Sequence, residues 1–216
     1  MGAKGQMMIH DSDTALILVD LQRDFLPGGA LAVADGDAVV PLANRLSRHF
    51  SNVILTQDWH PAGHISFASS HAGHMPFNVI SLPYGPQVLW PDHCVQGTEG
   101  ADFAPGLDVP HAQLVIRKGH HAHIDSYSTF CEADHHVTTG LTGYLRARGI
   151  RRVVLAGLAL DFCVGWSALD AARDGFETFV VEEACRAIDT HGSLHRARED
   201  MARAGVRPLT LTEAEI

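Results

Sequence analysis

The 216-residue chain reads as a three-layer α/β protein: a doubly wound, mostly parallel six-stranded sheet with helices on both faces. Three observations predict it. Short apolar runs alternate with stretches of helical period, the pattern of a buried parallel sheet covered by crossover helices. Reactive polar residues recur where those runs end, at the edge where open α/β sheets bind ligands. Apolar residues make up 46% of the chain and charged residues 19%, ordinary values for a globular protein with one substantial core.

The elements follow in order. "TALILVD" (14–20) is an apolar run and hence a first buried strand. After a glycine-rich loop comes "DAVVPLANRLSRHF" (37–50), where Val39, Leu42, Leu46 and Phe50 recur at three- and four-residue spacing, giving an amphipathic helix. "NVILTQD" (52–58) is the second strand. Residues 61–110 hold most of the prolines, lack clear periodicity and are too long for a passive connection, so they form a functional loop region within an insertion spanning about 58–110. "QLVIRKG" (113–119) is the third strand, and "TTGLTGYLRARG" a helix ended by Gly149. The strand "RRVVLAG" follows, then the helix "CVGWSALDAARDG" stopped by Gly175, the strand "FETFVVEE", the helix "SLHRAREDMARAG" and a final strand, "VRPLTL". No internal repeat or linker interrupts the pattern, so residues 1–216 are expected to form one domain.

A net charge of −9 argues against a nucleic-acid backbone as partner, leaving a small molecule as the default. A homo-oligomer is compatible with the sequence. The N-terminal "MGAKGQMMIHDSD" lacks a long apolar region, "ALILV" is too short to span a membrane, and Gln6 stands where an acylation signal needs Ser or Thr. A cytoplasmic protein without membrane contact is expected. Four scattered cysteines with no C-x-x-C pair point to free thiols, one of which could be a nucleophile.

Asp20, Asp58 and Lys118 sit at the ends of the first three strands, and Cys163 opens the helix after the fourth. A helix N-terminus favours the thiolate and offers backbone N–H groups to an oxyanion. A small buried hydrophobe is the competing reading of Cys163, and it is the stronger one for Cys131 and Cys185. Asp20 could accept the thiol proton while Lys118 orients that carboxylate; a structural ion pair is the alternative. In "QDWHPAGH", Asp58, His60 and His64 offer metal-ligand types, with His93 of "WPDHC" the next candidate. Among 15 histidines, a polar loop is the other reading of that stretch. The H-x-E with P-C-x-x-C signature of zinc deaminases is absent.

"LILVDLQRDFLPGGALAV", "TQDWHPAGHISFAS", "LWPDHCVQGTEGADF", "RKG" with "DSYSTF", and "GLALDFCVGWSALDA" resemble, in order and spacing, the nicotinamidase/pyrazinamidase group of the isochorismatase-like cysteine hydrolases, from about residue 14 to the final helix. The resemblance implies a Rossmann-like fold and a triad of Asp20, Lys118 and Cys163. It implies one divalent metal on Asp58, His60, His64 and His93, zinc first, with iron and manganese suited to the same ligands. Phe25 and Trp90 would pack around a pyridine ring, with Tyr127 as a further wall. A cis peptide between Leu158 and Ala159 would aim the N–H groups of Ala159 and Cys163 at an oxyanion. The implied activity is hydrolysis of nicotinamide to nicotinate and ammonia through a cysteine thioester, with the metal positioning the ring. Leu160 departs from a position where relatives often carry threonine, and His120, His121 and His123 read as solvated loop. Three alternatives stay open: a pyrazinamide-like carboxamide as substrate, attack by a metal-bound hydroxide or by Cys94, and a non-enzymatic metal-binding protein.

Overall fold

A computed structural model describes residues 12–215. Gln6 and the rest of the stretch read above for leader and acylation signals lie outside the described residues. Strand β1 (Thr14–Val19) is buried at all six positions, as a central parallel strand must be. Burying Leu16, Ile17 and Leu18 stabilises the fold by about 1.5–3 kcal/mol each. Two short 3-10 turns lead to helix α1 (Val39–Ser47), which buries Val39, Val40, Ala43 and Leu46 and stops short of the predicted end at residue 50. Strand β2 (Val53–Asp58) follows.

The long excursion is more ordered than its irregular sequence predicts. It contains an antiparallel hairpin, β3 (Val79–Leu82) with β4 (Gly85–Val88), whose four-residue strands are too short to show a period. Isolated bridges, His60 to Val95 and Phe67 to Trp90, tie it back onto the end of β2 and onto itself. Strand β5 (Leu114–Lys118), helix α2 (Leu141–Ala147) and strand β6 (Arg152–Leu158) come next. A π turn, Leu160–Val164, then runs into helix α3 (Gly165–Arg173). Cys163 therefore lies inside the π turn and not at the first residue of the α-helix, a correction to the sequence reading. Strand β7 (Glu177–Arg186), helix α4 (Ser193–Arg203) and strand β8 (Arg207–Pro208) complete the chain. The last strand has shrunk to two residues, and Pro208 has no N–H for a further ladder bond.

The main sheet has the order β5-β2-β1-β6-β7-β8, with every pair parallel. The order reverses at β1. With right-handed crossovers, that reversal puts α1 on one face and α3 with α4 on the other. Because all six strands run the same way, their carboxyl ends share one rim. Asp58 sits in register with Lys118 there, and Val19 with Gly157. Gly157 has φ of +129°, and a Cβ on it would lie 2.2 Å from the Val19 carbonyl oxygen, so only glycine fits. No helix among the described residues is long and apolar enough to cross a membrane.

Candidate active site

Asp20 follows β1 with φ of +49°, a turn that points its fully buried carboxylate into the rim. The Thr56 hydroxyl, from the neighbouring strand β2, accepts a hydrogen bond from the Asp20 N–H at 3.0 Å and donates one to Oδ1. Lys118 Nζ lies 2.8 Å from the other oxygen, Oδ2, close enough for an ion pair but outside hydrogen-bond alignment, so Oδ2 has no hydrogen-bond partner. The same ammonium donates to Cys163 Sγ at 3.3 Å, to the Ser126 carbonyl at 3.1 Å and to Asp58 Oδ1. The sulfur, one carboxylate oxygen of Asp20 and one of Asp58 all lie within 4.8 Å of one another.

Electrostatics follow from this packing. Burial works against the charge of Lys118, but Asp20, Asp58 and Cys163 outweigh it and push its pKa well above the ordinary value. Burial pushes the Asp20 carboxyl up and Lys118 partly offsets that. Burial likewise pushes the Cys163 thiol well up, against the pull of Lys118. Burial thus equips Asp20 to hold a proton, while the ionised thiol is favoured by the Lys118 ammonium beside it.

On the other side of Lys118 a second cluster begins. Asp58 Oδ2 lies 3.5 Å from His60 Nε2 and 3.5 Å from His93 Nε2. His60 Nδ1 donates to the Gly119 carbonyl at 2.9 Å and His93 Nδ1 to the Pro91 carbonyl at 2.8 Å, which sets the tautomers so that both Nε2 lone pairs face Asp58. All three residues are buried. Burial opposes a charged His60, yet Asp58 overrides it and pulls its pKa up, so the cluster attracts positive charge. A buried carboxylate and two oriented imidazoles fit a divalent ion in donor type and number.

His64 is not brought into that cluster. Its ring packs 4.3 Å from that of His60, but Nδ1 pairs with Ser66 Oγ at 2.8 Å and Nε2 donates to the His121 and Ile124 carbonyls at 3.1 and 3.0 Å. Its ligand atoms group with those of His60 and Asp125 instead. Burial, then the neighbouring His60, depress its pKa to about 4.

Phe25, Trp90 and Tyr127 line one cavity with Cys163, Asp58 and His93. Trp90 Nε1 and Gln87 Nε2 both donate to the Tyr127 hydroxyl, at 3.0 and 3.1 Å, which fixes that wall. The ring of Phe162 stands edge-on to Trp90 at 4.8 Å and was not read from the sequence. The peptide between Leu158 and Ala159 is cis. Leu160 is buried in the apolar core. His121 is not merely solvated, since its ring pairs with the buried carboxylate of Glu132. A larger cavity, about 460 Å³, lies across Phe162 and is lined by Trp166, Leu169 and Arg196. It holds none of the triad or cluster residues, so the smaller cavity is where the chemistry belongs.

Three supporting residues escaped the sequence reading. Thr56 was the legible one, a polar residue inside a buried strand, which needs a partner. Gln22 accepts from the Asp58 N–H and donates to the Asp58 carbonyl, both at 2.8 Å, clamping the end of β2. Asp125 accepts from Gln87 Nε2 at 2.7 Å and so braces the Tyr127 wall. The last two contacts pair residues 36 and 38 positions apart, and no local pattern announces them.

Comparison with known proteins places these observations. The model of the isochorismatase domain matches residues 14–213. A nicotinamidase from Acinetobacter baylyi is 55% identical over 203 residues, covering 94% of this chain and 95% of its own. A solved nicotinamidase/pyrazinamidase from Acinetobacter baumanii superposes with a TM-score of 0.93 at 57% identity, covering 94% of this chain and 98% of its own. A pyrazinamidase from Pyrococcus horikoshii, solved in complex with zinc, gives a TM-score of 0.75 at 36% identity over 92% of this chain and 99% of its own.

Proposed function

The chain belongs to the isochorismatase family, and we propose that it is an amidohydrolase that converts nicotinamide and water to nicotinate and ammonia through a thioester on Cys163. One observation carries the mechanism: Cys163 Sγ, the hydrogen-bond-free Oδ2 of Asp20 and Lys118 Nζ meet in one buried spot beside an aromatic cavity. The identity to the A. baylyi nicotinamidase carries the substrate class.

Asp20 Oδ2 takes the proton of the Cys163 thiol, and the Lys118 ammonium steadies the resulting thiolate. The sulfur attacks the carboxamide carbon, and the oxyanion rests on the N–H groups of Ala159 and Cys163. Asp20 returns its proton to the departing nitrogen, releasing ammonia and leaving the acyl thioester. Water then enters, loses a proton to Asp20 and attacks the thioester carbon; Cys163 regains a proton as nicotinate leaves. Phe25, Trp90 and Tyr127 sandwich the pyridine ring and exclude solvent from the sulfur.

Asp58, His60 and His93 would hold the divalent ion, with His64 beside them; zinc is the first choice, by analogy with the P. horikoshii protein, and iron and manganese suit the same donors. When bound, the ion supplies a Lewis-acid anchor that orients the ring. The reading also takes the chain as a single hydrolase domain, supported by one continuous apolar core that includes residues from every strand of the main sheet but β8. It takes the location as cytoplasmic, supported by four free, buried thiols.

Ammonia release from nicotinamide by the metal-loaded protein tests the proposal. Cys163→Ala is expected to lower kcat by about 10³-fold or more, while Cys94→Ala keeps most activity. Substantial turnover by Cys163→Ala would instead favour direct attack by an activated water. A carboxamide such as pyrazinamide turned over in preference to nicotinamide would move the assignment to that substrate.

A further inference from the structure

Cys131, His135 and Asp170 lie outside the catalytic machinery, yet they converge as closely as the residues within it. Cys131 Sγ is 3.1 Å from His135 Nδ1 and 3.1 Å from Asp170 Oδ2, and Nδ1 lies 3.7 Å from Asp170 Oδ1. Two elements supply them. Asp170 projects from α3, while Cys131 and His135 belong to a tight turn closed by an antiparallel bridge from Cys131 to Thr138. Within that turn His135 adopts φ of +59°, a left-handed conformation uncommon for any residue but glycine. The turn so formed holds its imidazole against the thiol.

Thiol, imidazole and carboxylate are the three donor types of tetrahedral zinc sites. A positive charge already occupies their midst. Arg173 Nη1 donates to His135 Nδ1 at 2.9 Å and pairs with Asp170 Oδ1 at 2.7 Å. Nδ1 is thus the ring's acceptor atom, its lone pair turned inward as a metal requires. Asp170 Oδ1 is buried and has no aligned hydrogen bond even with the guanidinium beside it. The Arg173 side chain is 58% exposed and can swing into solvent.

We propose that Cys131, His135 and Asp170 form a second site, for a zinc-like divalent cation, in which the Arg173 guanidinium holds the cation's place until the ion displaces it. Uptake exchanges one proton for one ion: the thiol of Cys131 releases its proton to solvent, His135 binds as the neutral ring, Asp170 as the carboxylate, and Arg173 departs still protonated. Burial, with Asp170 beside it, pushes the Cys131 thiol up to about 12, so the sulfur keeps its proton until an ion arrives. Water completes the coordination from the open side. The consequence is mechanical. Tyr127 borders both the catalytic cavity and the small cavity at this cluster, so an ion here pins the 125–138 loop, with its aromatic wall, to α3.

The test is metal stoichiometry on the full chain after chelation and dialysis, titrated with zinc and, separately, with cobalt as a spectroscopic probe. Wild type should bind two equivalents, Cys131→Ser and His135→Ala one each, with melting profiles showing the variants folded. The thiolate-to-cobalt charge-transfer band should persist in Cys163→Ala and vanish in Cys131→Ser. Arg173→Ala should tighten the second equivalent by about tenfold, since the resident competitor is gone. His93→Ala should lose the other equivalent alone, which separates a failure here from a failure of the active-site cluster. A single wild-type equivalent that Cys131→Ser leaves in place, two in Cys131→Ser, or a charge-transfer band that follows Cys163 would each overturn the proposal.

Discussion

Thr56 holds Asp20 by both its backbone N–H and its side-chain Oδ1. Removing the hydroxyl while keeping the shape leaves the carboxylate free to rotate toward Lys118, away from the sulfur. Thr56→Val is therefore expected to lower kcat by about 10–100-fold with KM little changed, and Thr56→Ser to restore it, as steady-state nicotinamide turnover would show. A Thr56→Val enzyme with wild-type kcat would mean that Lys118 alone orients Asp20. At this scale the sequence was legible where a charged residue ended an apolar run, as with Asp20, Asp58 and Lys118, or where a sulfur followed one closely, as with Cys163. Gln22 and Asp125 act across strands and loops through ordinary amide and carboxylate chemistry, which no short motif encodes. His64 has the spacing of a ligand from Asp58 and His60, while its ring bonds to carbonyls of the 119–124 loop.

Helices and strands declared themselves by apolar period, and the departures have local causes. Helix α3 was read from Cys163, but a π turn precedes it; its wider hydrogen bonding is invisible to a 3.6-residue period. The hairpin β3–β4 and the two-residue β8 fall below the length at which alternation can be counted. Gly157 is the element-scale position most exposed to change. It belongs to β6 but lies against the last residue of β1, one position before Asp20. In Gly157→Ala the new methyl must push Val19 away, at a φ that alanine disfavours, so a loss of about 2–4 kcal/mol in urea unfolding is expected. Activity in the folded fraction should fall as well, because the displaced strand end carries the base. Wild-type stability and turnover in that variant would show that β1 can slide without cost.

At the scale of the whole molecule, the cluster of Asp58, His60 and His93 joins the end of β2 to the far side of the long excursion, and His60 is further bonded to Gly119 beyond β5. An ion bound to the native cluster but not to the unfolded chain contributes about 2.7 kcal/mol at a hundredfold excess over Kd. For a chain of this size, thermal denaturation should show Tm falling by on the order of 5 °C or more between zinc-loaded and chelated protein. His93→Ala should lose this cluster's share of that difference, leaving only what the Cys131 site contributes; a variant that kept the whole difference would locate the ion elsewhere.

The reversal of strand order at β1 also dictates when the site can exist. β1, β2 and β5 lie side by side with Asp20, Asp58 and Lys118 at their ends, and all three precede residue 119. The sulfur arrives on the opposite flank of β1, forty-five residues after the lysine, behind a strand that must return across the first. During synthesis the base and the ammonium are thus translated well before the nucleophile, and a nascent chain interrupted before residue 163 carries a carboxylate and an amine without the sulfur that they serve.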